Sequence, residues 1–205
     1  MKKLTAAVLF VCFIAVQAWA EDPAQEAISS LSTAQTLIKQ GNTAKAIEEI
    51  NYALSKLNEV TASGMLKFIP DAPKGFTLDS KTSQGMGDGA MMVGNAGAEG
   101  NYSGENESSV KITIATGGIT GKLGSLASFG AMFGGGAAMG SGSKSVRIKG
   151  FTGTLQFDTE GKSGTLTLQV GPKTSVTIEG NNVDSENVLK TFAELMDLNG
   201  LSTAL

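Results

Sequence analysis

The chain has 205 residues, with 16 Lys and Arg against 19 Asp and Glu, one cysteine and no histidine. Intrachain disulfides, Cys/His zinc sites and every histidine-dependent triad are therefore excluded. A mildly acidic balance with Arg147 as the single arginine also lacks the basic face that nucleic acid requires.

The first twenty residues read as a secretory signal. Lys2 and Lys3 precede an apolar run over residues 6–16, and Ala18-Trp19-Ala20 fits a small-x-small cleavage site. The run is shorter than the ~20 residues of a membrane-spanning helix. Cys12 follows bulky Val11 inside it, a poor context for lipid attachment. The expected address is a bacterial periplasm. Loss of Cys12 and Trp19 with the leader leaves a body without thiol or indole, so thiolate nucleophiles are excluded too. Catalysis would fall to carboxylates, Lys, Tyr52, Tyr102 or hydroxyls, and the expectation is a protein that is not an enzyme.

Residues 21–60 read as a helical hairpin. Asp22 caps a helix that starts at Pro23 and runs to about Gln40, with Ile28, Leu31, Ala34, Leu37 and Ile38 on one face. Gly41 stops it. Asn42 or Thr43 restarts a second helix with apolar positions Ala46, Ile47, Ile50, Ala53, Leu54 and Leu57. The pair resembles one tetratricopeptide repeat, but a solenoid needs about three or more stacked units and no second copy follows. It is expected to dock on the domain that follows, or else on a partner. Residues 61–75 read as a linker, punctuated by Pro70-Asp71-Ala72-Pro73-Lys74-Gly75.

From Phe76 the pattern changes to period two. Short strands are expected at residues 76–78, 90–93 and 99–103, then at VKITIA (110–115), VRIKGFTGTLQF (146–157), TLTLQV (165–170) and TSVTIE (174–179), the last three as a meander. Apolar residues fall on one side of each strand, as in a sheet with one covered face. A final helix is capped by Asp184 or Ser185, with Val188, Leu189, Phe192, Leu195 and Met196 inward and Asn199-Gly200 as its stop.

The sheet is interrupted by residues 117–143, where Lys122 is the only charge. Ile119, Leu123, Leu126 and Phe133 share a helical face that Phe129 and Met132 broaden. This helix is expected to cover the sheet or to contact a protein, an apolar ligand or a membrane surface. Leu123, Leu126, Phe129, Met132 and Phe133 are the candidate partner-binding residues.

Residues 70–205 look like a PsbP-like α-β-α sandwich. TSVTIEGNNVDSENVLKTFAELMDLNGL also resembles a group of exported bacterial proteins with a Gly/Met-rich central helix. The resemblance implies an α+β fold over residues 76–205, an antiparallel sheet with covering helices, and an accessory or assembly role without catalytic residues.

Other chemistry is thinly represented. Gly121-Lys122-Leu123 and Gly161-Lys162-Ser163 lack the first glycine of a phosphate loop. Asp158, Glu160 and Ser163 lack EF-hand spacing. Asp88, Glu99, Glu105 and Glu107 are the residual candidates for a carboxylate hydrolase. Met86, Met91, Met92, Met132 and Met139 are soft thioethers suited to Cu(I), the alternative functional reading. No metal site or cofactor is assigned.

Overall fold

The computed structural model describes residues 22–85, 96–116 and 143–205. They form an α+β fold: a seven-stranded antiparallel sheet with helices packed on it and an N-terminal helical pair.

Helix α1 (Pro23–Lys39) starts where Asp22 Oδ1 accepts from Ala24 N at 3.1 Å. It ends at Gly41, whose φ of 77° admits the chain to the left-handed region that glycine tolerates best. Helix α2 (Thr43–Met65) runs back along α1 and continues well past Leu57. Residues 61–75, expected as a linker, supply core instead: Ala62, Met65, Phe68 and Ile69 are all buried. The reason lies in the facing strand. Ala96, Ala98 and Gly100 of β2 (Ala96–Gly104) make a track of small residues on its inner side, on which α2 lies close. A Cβ at Gly100 would stand 2.5 Å from Ile69 Cγ2.

The entry turn is pinned where it begins. Tyr102 Oη donates to Pro70 O at 2.7 Å and Lys81 Nζ donates to Ile69 O at 2.8 Å. Burial, with Asp71 adding its charge, pushes the Tyr102 phenol well above its ordinary range, so it stays a donor. Strand β1 (Phe76–Gly85) is far longer than the three residues expected, and a bulge between Leu78 and Ser80 shifts its register on β2. Strand β3 (Ser109–Thr116) follows.

The stretch 146–157, expected as one strand, is two. Strand β4 (Ser143–Ile148) turns at Lys149-Gly150 into β5 (Phe151–Asp158). Both turn residues have positive φ, 49° and 91°, the signature of a type I′ hairpin whose twist matches its strands. Strands β6 (Ser163–Gln169) and β7 (Thr174–Asn181) complete the order β1-β2-β3-β7-β6-β5-β4.

Ile112, Ile114, Leu155, Leu166, Leu168, Val176 and Ile178 fill the inner face. The other face is polar. Thr82, Glu99, Thr113, Thr177, Thr167, Thr154 and Ser145 stand side by side in one row across all seven strands.

Helix α3 (Glu186–Leu195) lies on the inner face. Phe192 is wedged between Tyr102 and Phe76, with ring centroids 4.7 and 5.2 Å away and edge-on contacts that suit aromatic quadrupoles. Asn199-Gly200 does not stop the chain there. Met196 leaves the helix in extended conformation, and Asp197 Oδ1 accepts from Gly200 N at 2.9 Å to cap a further helix, α4 (Leu198–Ala204). Leu195, expected inward, is exposed, while Met196, Leu198 and Leu201 are buried.

Candidate functional site

The residues expected to bind a partner, Leu123, Leu126, Phe129, Met132 and Phe133, lie outside the described residues, as do Asp88, Met86, Met91, Met92 and Met139 and the expected strand at 90–93. Of the remaining acidic candidates, Glu99 is committed to the sheet surface. Its carboxylate meets Lys111 Nζ at 2.7 Å and Asn101 Nδ2 at 2.9 Å, and these two bonds, Lys111 first, hold it below the ordinary 4.5. Glu105 and Glu107 sit on the turn between β2 and β3. Asp158 Oδ1 is occupied by the Glu160 amide at 3.0 Å. Among the described residues no group of three or more Asp, Glu, His or Cys is placed to hold a metal ion, and no helix is long and apolar enough to cross a membrane.

The surface that calls for a function is on the hairpin. Helices α1 and α2 meet through small side chains: Ala27, Ser30 and Ala34 on one, Ala46 and Ala53 on the other, all buried. The face expected to hold Ile28, Leu31, Ala34, Leu37 and Ile38 together divides instead: Ala34 is buried and Leu37 half-buried, apart from Ile28, Leu31 and Ile38. Those three, with Ile47, Ile50 and Leu57 of α2, are 41–59% exposed, and Leu54 beside them is half-buried.

Helix geometry places all seven on one side. At ~100° per residue, the centre of the Ile28, Leu31 and Ile38 stripe is about 80° round from the buried line of α1; the α2 stripe is about 70° round from its own buried line, in the same rotational sense. In an antiparallel pair the same sense of rotation points both stripes the same way. The result is one apolar face spanning two helices. Fully burying an Ile or Leu is worth ~1.5–3 kcal/mol, so covering six half-exposed ones offers on the order of 5–9 kcal/mol.

The opposite side of the hairpin is polar. Tyr52 Oη donates to Glu26, and Lys56 Nζ lies 3.4 Å from Glu26 and 3.3 Å from Glu59 while also sitting 5.5 Å above the Tyr52 ring. The Tyr52 hydroxyl, with Lys56 after it, holds the Glu26 carboxyl below its ordinary value against the opposing effect of burial. The same bond raises the Tyr52 phenol. This cluster fastens α1 to α2 and is solvated, as a structural ion-pair network should be.

The sequence signal that marks the apolar face is a second, independent line of small residues. Ile28, Leu31 and Ile38 run beside Ala27, Ser30 and Ala34, and only one of the two lines can face α2. Comparison of the chain with protein-family models, with curated proteins and with solved structures gives no match.

Proposed function

We propose that the protein is an exported, non-enzymatic binding module that engages its partner through the apolar face of the N-terminal hairpin, with the sheet domain as its scaffold. The observation that carries this reading is the inversion of the hairpin: alanines inside, isoleucines and leucines outside. A soluble helix normally turns its large apolar stripe to a core, and contiguous exposed apolar surface on a folded chain marks an interaction site. The leader read from residues 1–20 and the accessory role implied by the PsbP-like resemblance agree with it. So does the absence of histidine from the whole chain. The apolar residues Leu123, Leu126, Phe129, Met132 and Phe133 are a second contact element on this reading.

A photo-crosslinking residue placed at Ile50, on the apolar face, tests it against the same probe at Glu48, on the far side of α2. Cells of a host expressing the full chain should give a protein adduct from Ile50 and none from Glu48. Equal labelling from both positions, or none from Ile50, removes the hairpin face from the function.

A further inference from the structure

We infer that the occupant of the hairpin face is a second copy of this chain, the two hairpins meeting about a twofold axis as a four-helix bundle. The inference rests on the reading of the hairpin face as the contact surface and adds the identity of what covers it.

The spacing is the first argument. Along α1, Ile28, Leu31, Gln35 and Ile38 fall at i, i+3, i+7 and i+10; along α2, Ile47, Ile50, Leu54, Leu57 and Thr61 continue the same series. That is a seven-residue repeat, which keeps a narrow seam aligned with a neighbouring helix. A surface helix that lies on lipid needs instead a broad apolar sector bordered by basic residues. Gln25, Ser32 and Lys39 border the α1 stripe, and Asn51 and Asn58 border the α2 stripe, so Lys39 is the sole cation at this margin.

Charge is the second argument. Glu26, Glu48, Glu49, Lys56 and Glu59 all lie away from the apolar face. A twofold interface brings each patch against its own copy, so any net charge there would meet itself. This patch is apolar and its borders are nearly all neutral amides and hydroxyls. It can meet itself without like-charge repulsion, and it offers little with which to select a charged partner.

Continuity is the third. In its last turns α2 is already sealed, with Ala62 and Met65 buried on the sheet, while Ile47, Ile50 and Leu57 on its earlier turns are exposed. A second hairpin laid against those turns extends an existing packed interface. Two antiparallel helices facing two more are the up-down bundle geometry, in which a/d-type residues form the core. Gln35 falls at one such position, and a polar side chain there sets register when the bundle closes.

Sedimentation velocity of the full chain at micromolar concentration should give twice the chain mass. The double variant Leu31→Asp, Ile50→Asp should sediment as a monomer, with a dimer dissociation constant raised at least about 100-fold and an unchanged far-UV spectrum, its melting temperature lowered only by loss of the stabilisation that dimer formation gives the wild type. Should that variant fail to fold, Ile47→Lys near the free end of the hairpin must still weaken the dimer, and Glu48→Gln on the other side must leave it intact. A wild-type chain that stays monomeric, or a dimer indifferent to both substitutions, overturns the inference. The crosslink from Ile50 separates this failure from that of the wider reading. A monomeric chain with an adduct to a different protein sinks the second copy alone, whereas a monomeric chain with no adduct sinks both.

Discussion

The two interfaces within this chain are built in opposite ways. Beneath α3 the sheet domain packs large side chains together, Phe192 against Tyr102 and Phe76, over Leu166, Leu168 and Ile178. Between α1 and α2 the contact is made by Ala27, Ser30, Ala34, Ala46 and Ala53. Apart from the partly buried Phe76, both bury their residues almost completely, yet the first draws far more apolar area from water, and burial free energy follows area. The hairpin seam is thin in hydrophobic content, and the large residues next to it are left exposed.

The sharpest way to break this contrast is truncation on either side of it. Phe192→Ala should cost about 3–5 kcal/mol by the loss of transfer energy and the cavity it leaves, whereas Ile28→Ala should fall within about 0.5 kcal/mol of wild type, as exposed positions do. Urea unfolding of the two variants side by side, at chain concentrations too low for pairing of two copies, checks both values, and similar losses would mean that Ile28 is covered within its own chain. Enlarging the seam is the next step down. Ala34→Leu, at a position 2% exposed, should destabilise by about 1–3 kcal/mol through forced separation of the helices, read as a lower urea midpoint.

Acid should produce the smallest effect. Glu26, Glu99 and Glu186 are all held below the ordinary 4.5, chiefly by Tyr52, Lys111 and Lys190 respectively. A depressed carboxyl pKa contributes stability that is complete above the unfolded value and lost as pH falls through the folded one. The melting temperature should therefore be flat above pH 4.5 with respect to these groups and decline below it. The decline should be shallow, because exposed pairs are screened, and Glu26→Gln should make it shallower still.

Much of this architecture is legible in the chain. Period-two runs such as VKITIA and TLTLQV locate the central strands, and Asp22-Pro23 locates the start of α1, because alternation and capping are local effects. What escapes notice depends on partners far along the chain. Lys149 adopts positive φ although it is not glycine, so the turn that divides β4 from β5 is hidden inside an apparently continuous strand. The residues after Leu57 look like the fading end of a helix until the small residues of β2 give Ala62 and Met65 something to lie on. Hydrophobicity alone ranks Ile28 and Leu31 above Ala27 and Ala34 as inward residues, but how closely two helix axes approach decides otherwise. Of the candidate site, the sequence supplied the hairpin and its apolar residues but not which of them face the partner helix, while the Gly/Met-rich residues 123–133 lie outside the described residues.

The two outermost strands bear on what kind of assembly this chain tolerates. Strand β1 carries the register shift at Asp79 and the cation of Lys81, and β4 carries Lys144 and Arg147. Distortion and positive charge on an outer strand deter another chain from continuing the ladder. Growth by sheet extension would be unlimited and would end in fibres. With that route obstructed at both margins of the described sheet, the pairing inferred for the hairpin would use a surface that is filled once two copies meet, and such an assembly is finite.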